Sequence, residues 1–181
     1  MPAEEARAVL YAGNMRYVTG NGGLATTFDA ARMALLADDG QQPMAIILGS
    51  ADSRCPIDAL FDARPGDAFV LRTLGNTPPS DGGILVGSVE YGVQVLNSKF
   101  ICVTGQTRCP AITDAVETVI AGSDTSSVPG SIGNVYDAVY EVPTPRLQPL
   151  DLPDDRCAHW PCVQTGCVTV RARRGRPPPS R

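Results

Sequence analysis

Apolar positions along the chain follow two different periods. Residues 2–17 place Ala6, Val9, Leu10 and Tyr17 on one helical face, with Glu4 and Glu5 at the positive end of the helix dipole, and so predict a helix. Residues 30–37 predict a second, shorter helix, preceded by Phe28 and Asp29. The pattern then changes to unbroken apolar runs of strand length. Met44-Ala45-Ile46-Ile47-Leu48 runs from Pro43 to Gly49, Ala68-Phe69-Val70-Leu71 follows Gly66-Asp67, and Phe100-Ile101-Cys102-Val103 ends before Gly105. Continuous rather than alternating runs fit strands covered on both faces, as in a parallel sheet. Helical spacing returns between and after them, at Leu85, Val89, Val93 and Leu96, and again at Ile112, Ala115, Val116, Val119 and Ile120. Strands alternating with helices predict an α/β fold with a mostly parallel β-sheet flanked by helices and right-handed crossovers.

Beyond Gly122 the pattern loosens. Residues 122–130 have loop composition, and residues 132–142 predict a short helix. Residues 143–153 carry four prolines and predict irregular chain; residues 163–170 suggest one last strand around Thr165-Gly166. Arg171, Arg173, Arg174 and Arg176 run into Pro177-Pro178-Pro179 and predict a solvated, disordered tail. The expected organisation is therefore a domain over 1–142, an irregular segment over 143–170 with a possible terminal strand, and a tail over 171–181.

Open α/β sheets bind ligands at the C-terminal ends of their strands. Two polar segments lie there: Gly49-Ser50-Ala51-Asp52-Ser53-Arg54 after the first strand, and Gly105-Gln106-Thr107-Arg108-Cys109 after the third. These segments resemble the zinc-site motifs of the β-class carbonic anhydrases, Cys-x-Asp-x-Arg and His-x-x-Cys. The text between them is also similar to the family, at Phe61-Asp62, at residues 65–72, at Gly75-Asn76 and at Gly87-Ser88-Val89-Glu90-Tyr91. Residues 12–17 look like the family's N-terminal helical arm. The resemblance covers roughly residues 10–140.

The resemblance implies a zinc enzyme that interconverts CO2 and bicarbonate. Two thiolates and an imidazole hold the metal, and a fourth position is left for water, whose pKa zinc lowers to about 7. It implies that Asp52 and Arg54 orient the site, an arginine fork fixing a carboxylate. It also implies a dimer, with the N-terminal helices packed across the partner. Cys109 keeps one metal ligand. Ser50 puts a neutral hydroxyl where the family has a thiolate, and Gln106 puts an amide where it has an imidazole. Zinc prefers sulfur and nitrogen donors, so both replacements predict weak or absent zinc and impaired activity. Pro110 and Thr73 also depart from the family pattern, though proline is tolerated at a first helical position.

Three readings follow. The chain is an enzyme with a degraded zinc site; or a non-catalytic subunit, homo- or hetero-dimeric with family members, or a bicarbonate-binding pseudoenzyme; or an active enzyme with unusual ligands. Cys55 and Cys102 are the thiols available for such a rescue, but Cys55 lies past Arg54 and Cys102 sits inside a strand. Cys157, His159, Cys162 and Cys167 match no common zinc module. Residues 159–170 resemble the family's terminal strand instead, which implies a shortened C-terminal half.

Composition removes some alternatives. Among 181 residues, 19 are acidic and 15 are Lys or Arg, for a net charge of −4. That argues against nucleic acid, which needs a clustered basic surface. No apolar run reaches the ~18 residues that span a membrane. Residues 1–7 do not read as a signal or transit peptide, so a cytoplasmic protein is expected, or an organellar one if the N-terminus is incomplete. Six cysteines in that setting suggest reduced thiols.

Overall fold

The computed structural model describes residues 1–24, 29–77, 83–106, 109–140 and 168–169. The first strand, β1 (Ala45–Ser50), is buried along its whole length. It pairs in parallel with β2 (Ala68–Thr73) on one side and β3 (Ile101–Val103) on the other. A two-residue strand, β4 (Val168–Thr169), pairs antiparallel with β3, giving the order β2-β1-β3-β4. These two residues fall within the stretch 163–170; Thr165-Gly166 lie outside the described residues. The prolines of 143–153, the Cys157–Cys167 cluster and the arginine-rich tail also lie outside them.

Both faces of β1 are covered, and the two-residue period of a strand decides by what. Ala45 and Ile47 face a cluster formed with Leu10 of α1 (Ala3–Val18), with Ile57 and Leu60 of α3 (Ile57–Leu60), and with Phe61 and Ala63. Gly49 continues that face, and a Cβ there would stand 2.7 Å from Ile57 Cδ1. Ile46 faces the opposite way, onto Gly92 of α4 (Gly83–Gln94), where a Cβ would stand 2.7 Å from Ile46 Cδ1. Leu48 and Ser50 share that second face. The same alternation therefore turns the Ser50 side chain away from α3, toward Cys109 just before α5 (Pro110–Ile120).

The remaining elements follow the apolar pattern. The second helix, α2 (Ala30–Asp39), starts one residue after Asp29, whose side chain accepts from Arg32 N and so caps it. Arg32 in turn binds Asp67 at 2.9 Å and Pro65 O, tying α2 to the entry of β2. Pro110 opens α5, where its missing N–H costs little. The last helix, α6 (Ile132–Tyr140), packs on α5. A 3₁₀ turn at Leu74–Asn76 lies against the same pair, with Gly75 at φ +67° and Ile112 Cδ1 3.2 Å from where its Cβ would be. No helix among the described residues is long and apolar enough to cross a membrane.

The arm helix α1 is docked at its C-terminal half. Asn14 donates from Nδ2 to Leu60 O at 2.9 Å. Arg16 Nε meets the Asp62 carboxylate at 2.6 Å, and the other carboxylate oxygen accepts from Gly23 N and Leu24 N. Gly13 makes this approach possible: a Cβ there would stand 1.8 Å from Phe61 O, a backbone atom that cannot rotate aside. Gly13→Ala is accordingly expected to destabilise the fold by about 1–3 kcal/mol, the usual cost of overpacking, read as a lower urea midpoint.

Candidate functional site

The described residues of the two sequence segments meet where β1 and β3 end; Thr107 and Arg108 lie outside the described residues. Ser50, the last residue of β1, is buried, and its Oγ lies 3.9 Å from the sulfur of buried Cys109. Asp52 N donates back to Ser50 Oγ at 3.2 Å, folding the following chain over the strand end. A turn closes there, with Ser53 N donating to Ser50 O at 3.2 Å. Thr104 fixes the other side: its N and Oγ1 both donate to Leu48 O, at 2.8 and 3.1 Å. Cys109 immediately precedes α5, and its carbonyl accepts from Thr113 N and Thr113 Oγ1. Gln106 is half-buried on the loop leaving β3.

The structure thus brings Ser50 and Cys109 together and places Asp52 beside them. Asp52 and Arg54, the pair the resemblance singles out, differ in exposure. Asp52 Oδ2 is buried with no hydrogen-bond partner, while Arg54 is exposed and forms no ion pair with it. Cys55 is exposed, with its sulfur 3.8 Å from the Tyr17 hydroxyl of the arm, and Cys102 is buried in β3. Neither thiol points to the Ser50–Cys109 contact. Asp58, at the start of α3, has its carboxyl held above the ordinary range by burial, partly opposed by a backbone hydrogen bond.

Buried side-chain polar atoms normally find partners. Four among the described residues do not, and three of them belong to Asp52, Thr73 and Asn76, at or just beyond the ends of β1 and β2. Thr73 is the register partner of Ser50 and so shares its face. Asn76, at φ +58°, donates its amide to Thr104 O and leaves Oδ1 unpaired. A groove of about 930 Å³ lies at the opposite end of the sheet, near Pro43, Met44 and Lys99. It holds none of Ser50, Asp52, Arg54, Gln106 and Cys109, so chemistry and not volume locates the site at the strand ends.

Sequence reading missed one contributor. Arg72 of β2 reaches over to the turn, donating from Nε to Ser50 O at 2.9 Å and from a terminal nitrogen to Ser53 O. Its only sequence signal was a charge inside an otherwise apolar strand.

The donor set does not fit zinc. Around the Ser50–Cys109 contact stand one thiol and one carboxylate, with only neutral hydroxyls and amides beside them. Among the described residues no three His, Cys, Asp or Glu side chains gather in a way that could hold a metal ion.

Comparison with known proteins places this geometry. A family model described as carbonic anhydrase matches residues 45–158. Carbonic anhydrase 2 of Mycobacterium tuberculosis is 38% identical over 130 residues, covering 72% of this chain and 58% of that protein. The carbonic anhydrase of Mycolicibacterium smegmatis is 38% identical over 135 residues, covering 75% and 60%. The chain therefore spans less than two thirds of the length of these curated relatives. Among solved structures, the beta-carbonic anhydrase CcaA superposes with a TM-score of 0.51 at 24% identity, covering 72% of this chain and 59% of that one, a likeness of fold.

The burial pattern sets thiol reactivity. Cys55 is expected to react with iodoacetamide at least about a hundredfold faster than Cys102 or Cys109, because alkylation of a buried thiol waits for local opening. Peptide mapping by mass spectrometry checks this site by site.

Proposed function

Because the chain belongs to the β-class carbonic anhydrase family, we propose that it is a member which keeps the CO2-hydrating scaffold but does not hold zinc firmly. The observation that carries this reading is the Ser50–Cys109 contact. A hydroxyl and a thiol meet at 3.9 Å where the family pattern calls for two thiolates around a metal. β-Carbonic anhydrases are zinc enzymes, and three protein ligands plus an open position are what their chemistry requires. On this reading Cys109 is the one retained ligand, Ser50 and Gln106 occupy the replaced positions, and Asp52 and Arg54 are the remnants of the orienting pair. CO2 and bicarbonate remain the substrate class the scaffold would serve.

The scale of the loss supports this. A complete structural zinc site contributes roughly 10–16 kcal/mol, or about 2.5–4 kcal/mol per ligand if shared equally. Losing two ligands then weakens binding by about four to six decades. Ligand energies are not additive, but the direction is fixed by chemistry, because a neutral hydroxyl or amide neither cancels the metal's charge nor matches its softness.

A second reading, a non-catalytic subunit that associates with a family member, draws on one observation. Helix α4 carries Ile84 and Tyr91 in the open, with Val95 just past its end. Exposed apolar side chains at that spacing suit a protein partner.

Purified protein dialysed against a mild chelator is expected to carry well under one zinc per chain by elemental analysis. Stoichiometric zinc would sink the proposal. The double change Ser50→Cys with Gln106→His should raise bound zinc and CO2 hydration together. Co-purification with an intact family member would favour the subunit reading.

A further inference from the structure

The turn that carries Asp52 is held by an arginine, but not by the one in the motif. Arg72 donates from Nε to Ser50 O at 2.9 Å and from a terminal nitrogen to Ser53 O. These carbonyls belong to the first and last residues of the turn closed by Ser53 N on Ser50 O. One guanidinium therefore spans the whole turn. Its rigid planar fork suits two acceptors at fixed separation, which the single ammonium of a lysine does not. Arg54, by contrast, is exposed and unpaired with Asp52.

We infer that Arg72 is the positioning residue of this site, fixing through two backbone carbonyls the Ser50–Ser53 turn whose Ser50 side chain lies against Cys109. The chain of contacts is short. Arg72 fixes the Ser50 carbonyl; the Ser50 side chain lies on the Cys109 sulfur and accepts from Asp52 N. Without Arg72, two carbonyls lose charged donors. The turn then keeps the Ser53 N bond and the bond from Ala51 N to Thr73 O at 2.8 Å. It opens more often, and Cys109 is uncovered. Cys102 sits mid-strand between β1 and β4 and does not depend on the turn. This role is independent of whether any metal binds, so it stands or falls separately from the zinc reading.

The test uses the full chain, iodoacetamide and peptide mapping. Arg72→Ala should speed alkylation of Cys109 by about tenfold, the scale of one lost charge-assisted hydrogen bond, and leave Cys102 within about twofold of its original rate. Arg72→Lys should resemble Arg72→Ala, because charge alone does not replace the fork. Arg54→Ala should leave Cys109 as protected as before. The inference is overturned if Arg72→Ala leaves Cys109 within about twofold. It is equally overturned if Cys102 and Cys109 speed up together, which marks a general loss of stability, or if Arg54→Ala exposes Cys109 as much as Arg72→Ala does.

Discussion

Strand β1 meets water on neither face, and that burial dictates where each of its residues must point. Helix α1 and helix α3 close over Ala45, Ile47 and Gly49; on the other face α4 meets Ile46 and Cys109 lies against Ser50. Neither face has slack. A side chain at Gly49 would meet Ile57, and one at Gly92 would meet Ile46 and Phe69. A shift of register by one residue would exchange the two faces, driving Ser50 into the α1–α3 cluster and away from Cys109. The position of the site is thus a consequence of core packing, not of any bond within the site itself.

A second set of contacts fastens the arm to this core. Asp62 is almost fully buried at φ +45°, yet its carboxylate is satisfied by Arg16 and by two backbone N–H groups. A buried charge paired in this way is costly to leave alone, so removal of one partner is felt by the rest. Asp62 sits at the corner after α3, and α3 begins just beyond the loop that carries Asp52, Arg54 and Cys55. The Tyr17–Cys55 contact at 3.8 Å joins the arm to the same loop from the other side. Arm, corner and loop therefore form one connected unit.

The framework around the site is held largely without the side chains that line it. The strand ends are held by backbone hydrogen bonds, by Thr104 on Leu48 O and by Arg72 on the turn, none of which uses the side chains at positions 50 or 106. The Ser50 side chain adds only a weak contact with Cys109 and the bond it accepts from Asp52 N. Polar atoms on Asp52, Thr73 and Asn76 are left unpaired beside it. Polar groups gathered round a strand end are tolerable where a ligand or water can reach them and expensive elsewhere.

Much of this was legible in the sequence. The unbroken apolar runs at 44–48, 68–71 and 100–103 fit covered strands, and the helical spacing between them fits crossovers, so the parallel sheet and the location of the motifs after its strands were readable from local pattern. The identities of Ser50, Gln106 and Cys109 likewise determined the donor chemistry, because no packing turns a hydroxyl or an amide into a thiolate or an imidazole. The tertiary structure alone decided which groups meet. Arg72 was one charge in an apolar strand until the parallel register of β1 and β2 brought it beside the turn, and Arg54 was a motif residue until the fold left it in solvent. Sequence fixes what a side chain can do, whereas hydrogen-bond partnership depends on distances between residues twenty or more positions apart, which only the packed chain sets.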